Sequence, residues 1–447
     1  METLGVAMAD RLTATSDVAV GDVARMEIRA VASSGAGVGD LPDGRVAFVH
    51  RTAPGDAAEV RITQLRRRWG RAALLRVLEP GPGRVKAPCP HYAACGGCTL
   101  QHLAYPQQLA WKHRFVADAM ERIGHVAADV APVTPSPVQS HYRNRVTFTL
   151  RRGSGNRMVA GFHGLDDPDH IVDVGTECLL PEPELLAAWG RLRALWRSGW
   201  PPLPKAAELR LTLRVVEEGV LLLVRGGPEG WDAGELLERV PTVVSVWHQP
   251  TSQPRPSMVA GAAVAEVWGE EQVPVAGEAF LQVNRHAAEG LVEHVLSLVG
   301  PTPGTAVDAY CGVGVYGRAL ARSGWSVTGI ERDPHACASA RHAAPAGFSV
   351  VEGAVEDHLA GHLPADLVIL NPPRTGLQEW VPGILGHHRP PRVIYVSCDP
   401  ATLARDSARM APAYRLEGLR PFDLFPQTSH VETVAVFRAG REDQALR

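Results

Sequence analysis

The chain has 447 residues, 45% of them apolar, and its 45 Lys and Arg against 48 Asp and Glu give a net charge of -3. This length suggests about three domains of roughly 150 residues, and the apolar share excludes a disordered chain or a small disulfide-stapled peptide. No apolar run approaches the roughly 18 residues of a membrane-spanning helix, and Met1–Leu12 lacks the basic start of a secretory signal. We therefore expect a cytoplasmic protein without a membrane partner.

The charge is distributed unevenly along the chain. The first 60 residues carry nine acids and five Arg, whereas Arg61–Lys86 carries eight bases against the single acid Glu79, a net charge of +7. A second stretch, His141–Arg157, carries five Arg and no acid. Clustered bases of this kind favour contact with nucleic-acid phosphates. A general preference for Arg in a chain with only three Lys is the alternative explanation.

The first predicted elements are short strands separated by Gly, Pro and Asp turns, which is the pattern of a small β-barrel. These strands are Val23–Ile28, Gly44–Val49, Ala58–Leu65 and Arg71–Val77. A linker rich in Pro and Gly, Glu79–Gly83, follows them. We predict a barrel domain over residues 15–78 on this basis.

The middle of the chain, residues 84–283, predicts an α+β domain that begins with a Cys-rich turn region. Its predicted elements are a helix and mainly antiparallel strands: Pro106–Ile123, Arg145–Arg151, Leu209–Val216 and Val220–Val224. From Asn284 onward, apolar strands alternate with helices, which is typical of a parallel sheet with crossover helices. Residues 284–447 are therefore predicted to form an α/β domain. Its buried strands would be Thr305–Val307, Ser326–Ile330, Ala365–Leu370 and Val393–Val396.

Three Cys lie within ten residues, in a loop that contains Gly and Pro: Cys89, Cys95 and Cys98. A thiolate cage usually needs a fourth ligand, and Cys178 is the only other Cys before the predicted α/β domain. Spacings of five and two residues followed by a distant Cys are closer to iron–sulfur ligation than to the paired knuckles of a zinc ribbon. Zinc, or buried thiols without a ligand, remain the alternatives.

A glycine loop follows the first predicted strand of the α/β domain. Gly312, Gly314 and Gly317 match the spacing G-x-G-x-x-G, which allows a tight turn and close approach of a ligand to the backbone. Glu331 ends the next apolar strand, 17 residues after Gly314, where a carboxylate can accept hydrogen bonds from both hydroxyls of a ribose. A nucleoside cofactor fits this pattern, and NAD and S-adenosylmethionine fit it equally.

Two strand ends further along distinguish between these cofactors. The strand Ala365–Leu370 runs directly into Asn371–Arg374, at the carboxyl edge where α/β sheets hold their ligands. Asn-Pro-Pro at such a position is a methyltransferase feature, because the amide and the fixed proline backbone present acceptors to a planar base. Cys398 ends the following strand, where a thiol is placed for chemistry, with a buried packing Cys as the alternative. Cys311 and Cys337 are expected to be packing residues.

Together these motifs resemble the RNA uridine-C5 methyltransferases, specifically the members with an N-terminal TRAM domain and a [4Fe-4S] cluster that act on 23S ribosomal RNA. The resemblance extends from about residue 15 to Phe437. It implies a multidomain protein with an OB-like TRAM barrel, an α+β central domain with the Cys cluster, and a Rossmann-like α/β catalytic domain. Besides the barrel and the four Cys, the matching segments are Phe280–Asn284, Asp308–Gly314, Glu331, Asn371–Arg374, Ser397–Pro400 and Ser429–Thr433.

The resemblance also implies roles for single residues. Cys398 falls at the position of the nucleophile and Glu432 at that of the general base, and Phe280 is a candidate for stacking on the target base, with core packing as the alternative. The residues expected to bind S-adenosylmethionine are Gln282, Tyr310, Gly312, Gly314, Glu331 and Asn371. The residues expected to bind the [4Fe-4S] cluster are Cys89, Cys95, Cys98 and Cys178.

The chemistry explains why such residues are needed. C5 of uracil is too weak a nucleophile to accept a methyl group unaided, so a Cys thiolate first adds to C6, and a base later removes the C5 proton so that the thiolate can leave. Because the thiolate is the reactive form, we expect surroundings that lower the pKa of Cys398, with Arg374 as a contributor. A target base in folded RNA must also be extruded into the pocket.

Two positions depart from the pattern of the family. Asn371 stands where the family usually has Asp, so the acceptor oxygen is kept while the negative charge is lost and an NH2 donor is gained. Val315 stands where related enzymes often have Asn. Neither position is the nucleophile or the base, so we expect the activity to be retained and the details of substrate recognition to differ.

By this resemblance, the TRAM domain and the Cys set favour ribosomal over transfer RNA. We therefore predict an enzyme that makes 5-methyluridine in 23S rRNA. We also expect the enzyme to be a monomer. A tRNA uridine-C5 methyltransferase, an amino-directed nucleic-acid methyltransferase and a catalytically silent RNA-binding protein are the alternatives. A dehydrogenase that binds NAD is a more distant one.

Overall fold

The structure, a computed structural model, describes residues 18–153, 157–196, 202–269, 271–276 and 281–440. These residues form two compact units. The first takes in the described residues up to Lys86 together with His102–Ala104, and the second takes in Ala87–Gln101 and the described residues from Tyr105 onward. The second unit contains most of both the central and the catalytic regions, so the division into domains at 15–78, 84–283 and 284–447 stays a prediction. Phe280 lies outside the described residues.

The first unit is a closed five-stranded barrel in which the strands follow the order β1-β2-β3-β5-β4. Its strands are β1 (Val23–Val31), β2 (Gly37–Asp40), β3 (Val46–Val49), β4 (Ala57–Leu65) and β5 (Trp69–Glu79). Alternate residues of β1 are buried, as expected for a strand with one face on a core. The four predicted strands are confirmed, whereas β2 was not predicted. Gly39 of β2 lies so close to β1 that a Cβ atom would stand 2.3 Å from the carbonyl oxygen of Glu27.

One buried carboxylate fixes the chain segment that follows β5, where the chain leaves the barrel. Asp56 accepts hydrogen bonds from the backbone N–H groups of Ala53 (2.6 Å) and Gly81 (2.8 Å) and from the guanidinium of Arg84 (2.6 Å). Burial alone would raise the pKa of this carboxyl, but these three donors outweigh burial and hold the pKa below its usual range. The charged form of Asp56 therefore stabilises the folded barrel.

We expect Asp56→Ala to destabilise the barrel by about 3–5 kcal/mol, because it leaves Arg84 partly buried without its carboxylate. Hydrogen exchange of peptides from the barrel strands measures this change. Because folding lowers the pKa of Asp56, its contribution is present above about pH 4 and is lost as the pH falls through the folded value. Glu59→Ala is the matched control, since its pair with Arg76 is exposed to water. Equal exchange in both variants would contradict this role of Asp56.

The central region of the second unit is built on a seven-stranded sheet with the order β12-β11-β10-β9-β6-β7-β8. Its elements are α1 (Tyr105–Ala119), β6 (Arg145–Arg152), β7 (Met158–His163), β8 (Ile171–Asp173), α2 (Pro183–Leu195), β9 (Glu208–Val216), β10 (Gly219–Arg225), α3 (Gly234–Arg239), β11 (Val243–Gln249) and β12 (Ser257–Gly261). A separate hairpin follows, β13 (Val264–Trp268) and β14 (Glu271–Val275). The predicted antiparallel pairing is confirmed except between β10 and β11, which are parallel. The predicted helix Pro106–Ile123 is α1 followed by a π-helical turn, Met120–Gly124.

Opposite faces of this sheet differ in character. Alternate residues of β6, such as Phe148, contribute to an apolar core that includes Trp189 of α2, and the two rings stack at 4.1 Å. The opposite face carries Arg145 and Thr147 of β6 beside Arg214 and Thr212 of β9. The alternation of side chains along a strand therefore places Arg145 and Arg151 of β6 on the face opposite Phe148.

The region after residue 283, predicted to be the α/β domain, has a second seven-stranded sheet, with the order β17-β16-β15-β18-β19-β21-β20. Its elements are α4 (Arg285–Ser297), β15 (Thr305–Ala309), α5 (Val315–Arg322), β16 (Ser326–Glu331), α6 (Pro334–Arg341), β17 (Phe348–Glu352), α7 (Val355–His358), β18 (Leu367–Leu370), α8 (Val381–His388), β19 (Arg392–Ser397), α9 (Pro400–Met410), β20 (Tyr414–Phe422) and β21 (Glu432–Ala439). The first five strands in the sheet order are parallel, and β21 runs antiparallel to both of its neighbours, β19 and β20. The four predicted strands are confirmed, whereas β17, β20 and β21 were not predicted. Every helix in the ranges described is too short or too polar to traverse a lipid bilayer.

Candidate active site

A cavity of about 820 Å³ opens at the carboxyl ends of the parallel strands. It lies where the sheet order reverses between β15 and β18, which is the usual position of ligand sites in open α/β sheets. Seven of the eight predicted catalytic and cofactor residues line it together: Gln282, Tyr310, Gly312, Glu331, Asn371, Cys398 and Glu432. Gly314 is the exception and lies behind the wall, at the start of α5.

The glycine loop lets the backbone turn sharply between β15 and α5. Gly312 and Gly314 have positive φ angles of 56° and 83°. A Cβ atom on Gly314 or Gly317 would come within 2.7 Å or 2.4 Å of the ring of Phe348, so these two glycines also allow the helix to pack on that ring. Tyr310, which is not a glycine, has a φ of 60°, a conformation of the kind found at functional sites.

Two polar side chains of the cavity lining, Glu331 and Tyr310, can form further hydrogen bonds. The Glu331 carboxylate accepts hydrogen bonds from the backbone N–H groups of Gly312 (2.9 Å) and Asp333 (2.8 Å), which fixes it at the end of β16. Carboxylate oxygens have further lone pairs. The buried Tyr310 hydroxyl has no hydrogen-bond partner within the part of the chain that the structure describes. A ligand with hydroxyl groups would complete both sets of hydrogen bonds.

Cys398 and Glu432 come together because their strands pair. Cys398 follows the last residue of β19, Ser397, and Glu432 is the first residue of β21. The antiparallel register of these two strands places Ser397 opposite Thr433. Asp399 then starts α9 by accepting hydrogen bonds from two backbone N–H groups, which fixes the turn that carries Cys398.

The surroundings raise the pKa of both groups. Burial raises the pKa of the Cys398 thiol to about 11, with a further contribution from the nearby Glu432 carboxylate, while Arg374 opposes the shift. Burial also raises the pKa of Glu432 to about 7, again opposed by Arg374. The expectation of a lowered Cys398 pKa is therefore wrong for the ligand-free pocket, although Arg374 acts in the expected direction. The sequence pattern contained no measure of burial at position 398.

The cavity also contains residues to which the sequence had assigned no separate role. His430 lies at its exposed rim, where its ring is 3.2 Å from the Arg374 guanidinium. The sequence could have indicated this position, because His430 lies two residues before Glu432 in the segment Ser429–Thr433. Arg143 and Arg145, from the second basic stretch, also line the cavity. Their contact with RNA phosphate stays a prediction.

Four Cys line one small cavity elsewhere in the second unit: Cys89, Cys95, Cys98 and Cys178. Burial raises the pKa of Cys98 and of Cys178 to about 12. Within the described residues, no three His, Cys, Asp or Glu side chains converge closely enough to hold a metal ion as they stand. The structure thus brings the four predicted ligands to one place without showing a metal site. Cys311 and Cys337 are buried, in keeping with packing roles.

We expect Glu432→Gln to increase the rate at which iodoacetamide alkylates Cys398 at pH 8 severalfold, because removing a negative charge favours the thiolate. Peptide mass spectrometry separates Cys398 from the other thiols. In the unsubstituted protein the rate should still rise between pH 9 and pH 10, since the pKa is about 11. Glu356→Gln, which changes another carboxylate on the cavity wall, should leave the rate unaltered. A slower reaction in Glu432→Gln would disprove the electrostatic coupling.

Two family models match the chain. One, described as a TRAM domain, matches residues 17–75, and the other, described as a tRNA (uracil-5-)-methyltransferase, matches residues 358–439. The first match covers the barrel through most of β5, and the second covers Asn371, Cys398 and Glu432. The predicted TRAM barrel is thus confirmed by both structure and comparison.

Several RNA methyltransferases are similar to this chain over nearly its whole length. An uncharacterized RNA methyltransferase from Halalkalibacterium halodurans is 31% identical and covers 93% of this chain and 96% of its own. One from Thermosynechococcus vestitus is 34% identical and covers 93% of this chain and 98% of its own. The crystal structure of Pyrococcus abyssi tRNA (uracil-54, C5)-methyltransferase in complex with S-adenosyl-L-homocysteine is similar, with a TM-score of 0.70, 27% identity, and coverage of 92% of this chain and 99% of its own. The chain therefore belongs to the RNA uracil-5-methyltransferase family, as a member with an N-terminal TRAM domain.

Proposed function

We propose that this protein transfers a methyl group from S-adenosylmethionine to C5 of a uridine in RNA, with Cys398 as nucleophile and Glu432 as general base. The observation that carries this proposal is the shared cavity. A thiol, a carboxyl with a raised pKa and the predicted nucleoside-binding residues line one space of about 820 Å³. Nucleophilic and acid–base groups in one concave site are the combination that this reaction needs.

The residues present fit the cofactor. Glu331 is fixed where it can accept hydrogen bonds from ribose hydroxyls, and the unpartnered hydroxyl of Tyr310 and the amide of Gln282 are available to the rest of the molecule. The Pyrococcus abyssi relative was crystallised with S-adenosyl-L-homocysteine. When bound, S-adenosylmethionine supplies an electrophilic methyl group on sulfur.

Each step on the uracil then uses one group of this chain. The Cys398 thiolate would form a bond to C6, which shifts the C5=C6 electron pair towards C5. C5 would then bond to the methyl group while the bond between that methyl group and the sulfonium sulfur breaks and its electron pair stays on sulfur. Glu432 next takes the proton from C5, the double bond forms again, and the C6–S bond breaks to return the thiolate. A carboxyl with a pKa of about 7 is matched to accept a proton near neutral pH.

Asn371 affects the charge balance of this pocket. Glu432 already disfavours the thiolate of Cys398, and an Asp at position 371 would add another negative charge to the same cavity wall. An Asn avoids that charge and still offers an acceptor oxygen and an NH2 group that donates, which suits the edge of a uracil ring. The departure from the family pattern is therefore compatible with the proposed chemistry.

We propose 23S ribosomal RNA as the substrate, with a [4Fe-4S] cluster bound by the four Cys. The presence of both the TRAM domain and the Cys set supports ribosomal RNA through the resemblance to family members that have both. Transfer RNA is the second candidate, because the similar Pyrococcus abyssi enzyme is a tRNA (uracil-54, C5)-methyltransferase. The two substrates predict different outcomes in a deletion strain.

Nucleoside mass mapping of 23S rRNA and tRNA from a deletion strain should show the loss of one 5-methyluridine from 23S rRNA. Loss from tRNA alone would establish the second candidate. An unchanged nucleoside profile in both RNAs would contradict uridine methylation as the function. Complementation with the native gene should restore the missing nucleoside, and complementation with Cys398→Ala should not.

In vitro, Cys398→Ala should reduce turnover to background and abolish the covalent adduct with 5-fluorouridine RNA. An amino-directed methyltransferase does not need this thiol, so retained activity would favour that alternative. Calorimetry with S-adenosylmethionine provides the control, because removal of the thiol should leave cofactor binding unaltered. A protein that binds RNA but shows no heat with S-adenosylmethionine would instead be a catalytically silent RNA-binding protein.

The donor set of the small cavity fits an iron–sulfur cluster. Four thiols line it, and four Cys thiolates are the donor set that would hold a [4Fe-4S] cluster. After anaerobic purification we expect a broad absorption band near roughly 400 nm with bound iron and sulfide. Cys98→Ser should diminish all three signals, and Cys337→Ser should leave them intact. Stoichiometric zinc in a colourless protein would show that the cluster assignment is wrong.

A further inference from the structure

The segment that carries the proposed base is attached directly to the loop that carries three of the four Cys. We call Asp423–Glu432 the base segment and Cys89–Gln101 the cysteine loop. The backbone N–H groups of Thr99 and Leu100, the two residues after Cys98, both donate hydrogen bonds to the carbonyl oxygen of Gln427, at 3.0 and 2.9 Å. The position of Cys98 along its loop thus fixes a point five residues before Glu432.

Further contacts reinforce this attachment. The Ser429 N–H donates a hydrogen bond to the Thr99 hydroxyl at 3.0 Å, and the Tyr92 hydroxyl donates to the carbonyl oxygen of Thr99 at 2.9 Å. Tyr142 donates a hydrogen bond from its hydroxyl to the carbonyl oxygen of Pro426 at 3.0 Å. Thr99 therefore contacts the base segment on one side and the wall of the four-Cys cavity, through Tyr92, on the other.

Gln427 is also bound from the opposite side, by helix α1. Its backbone N–H donates to the side-chain oxygen of Gln108 at 3.0 Å, and the Gln108 amide nitrogen donates to the side-chain oxygen of Gln427 at the same distance. Gln108 is buried. Gln427 has a φ of 69°, which a side chain other than glycine rarely adopts, so these hydrogen bonds maintain an unfavourable conformation.

The start of the base segment has a separate anchor. The buried ammonium of Lys112 donates hydrogen bonds to Asp423 at 2.5 Å and to the carbonyl oxygen of Phe425 at 3.0 Å. This anchor involves neither Gln427 nor the cysteine loop. Contacts between the cysteine loop and the base segment converge on Gln427 and Ser429, of which Gln427 has the conformational strain and the larger number of hydrogen bonds.

We propose that Gln427 is a positioning residue that transmits the state of the four-Cys cavity to the carboxylate of Glu432. The inference rests on the proposed function of Glu432 as the base that removes the C5 proton. Because Glu432 acts after Cys398 has added to C6 and C5 has been methylated, misplacement of the base segment slows the breakdown of the covalent adduct more than its formation. Displacements of about 1 Å at a reacting group can cost roughly 100-fold in rate.

The test is single-turnover methylation of RNA by the full-length holoprotein, with the covalent protein–RNA adduct followed on denaturing gels. Gln427→Ala should slow adduct breakdown about 10- to 100-fold. Adduct formation and the KM for RNA should change less than about threefold, and bound iron should stay at the native level. Gln427→Asn, which tolerates positive φ and keeps an amide, should restore most of the rate. Gln108→Ala removes the same side-chain pair from the other partner and should slow breakdown as well.

A second readout does not depend on activity. Hydrogen exchange of the peptide that contains residues 423–432 should increase in Gln427→Ala, and also in the native protein after removal of its metal with a chelator. Arg389→Ala is the control, because Arg389 is another residue with positive φ, at 50°, and lies at the end of α8. It should change neither the exchange of this peptide nor the breakdown of the adduct.

Native rates of adduct breakdown in Gln427→Ala and Gln108→Ala would overturn the proposal, as would exchange in residues 423–432 that does not respond to metal removal. Failure of the proposed function has a different signature. If Cys398 is not the nucleophile, the native protein forms no adduct at all, and the effect of Gln427 on hydrogen exchange is still measurable.

Discussion

The pairing of β19 with β21 is the constraint on which the active site depends. The two strands are antiparallel, so the chain leaves β19 at the same edge where it enters β21, and the register places Ser397 opposite Thr433. The proposed nucleophile and the proposed base, Cys398 and Glu432, therefore meet although they are 34 residues apart in sequence. Neighbouring parallel strands bring residues that follow their carboxyl ends to this edge, whereas the antiparallel β21 contributes a residue from its start.

Bringing a thiol and a carboxyl into one buried space has an electrostatic cost. Desolvation raises the pKa of both groups, and the Glu432 carboxylate raises the pKa of Cys398 further. Arg374 is the positive charge that opposes these effects on both residues, and it lies at the rim beside His430, in a position open to solvent. A ligand-free pocket of this kind holds Cys398 as an unreactive thiol.

The sequence predicted most of the parallel sheet, because its buried strands are continuous apolar runs that end in recognisable loops. Seven of the eight residues predicted to be catalytic or to bind the cofactor line one cavity in the structure, since residues at the carboxyl ends of neighbouring parallel strands meet at one edge. It did not predict β2, whose residues Gly37–Asp40 lack an alternation of large apolar and polar side chains. The positive φ of Gln427 was likewise inaccessible, because it results from hydrogen bonds with Thr99, Leu100 and Gln108, far away in sequence. The burial of Cys398 was also inaccessible, because it results from tertiary packing.

The central region contributes to the catalytic pocket through a buried polar network. Asn144 donates hydrogen bonds to Glu266 at 2.5 Å and to the carbonyl oxygen of Gln282 at 3.4 Å, and Glu266 in turn accepts from the buried guanidinium of Arg214. Two residues after Gln282, Asn284 starts α4 and donates to the carbonyl oxygen of Leu424 in the base segment. A wall residue of the pocket, the helix behind it and the segment that carries Glu432 are thus all held by amide side chains. Because a buried amide or carboxylate that loses one partner is costly, these connections favour a single arrangement of the site over alternatives with similar apolar packing.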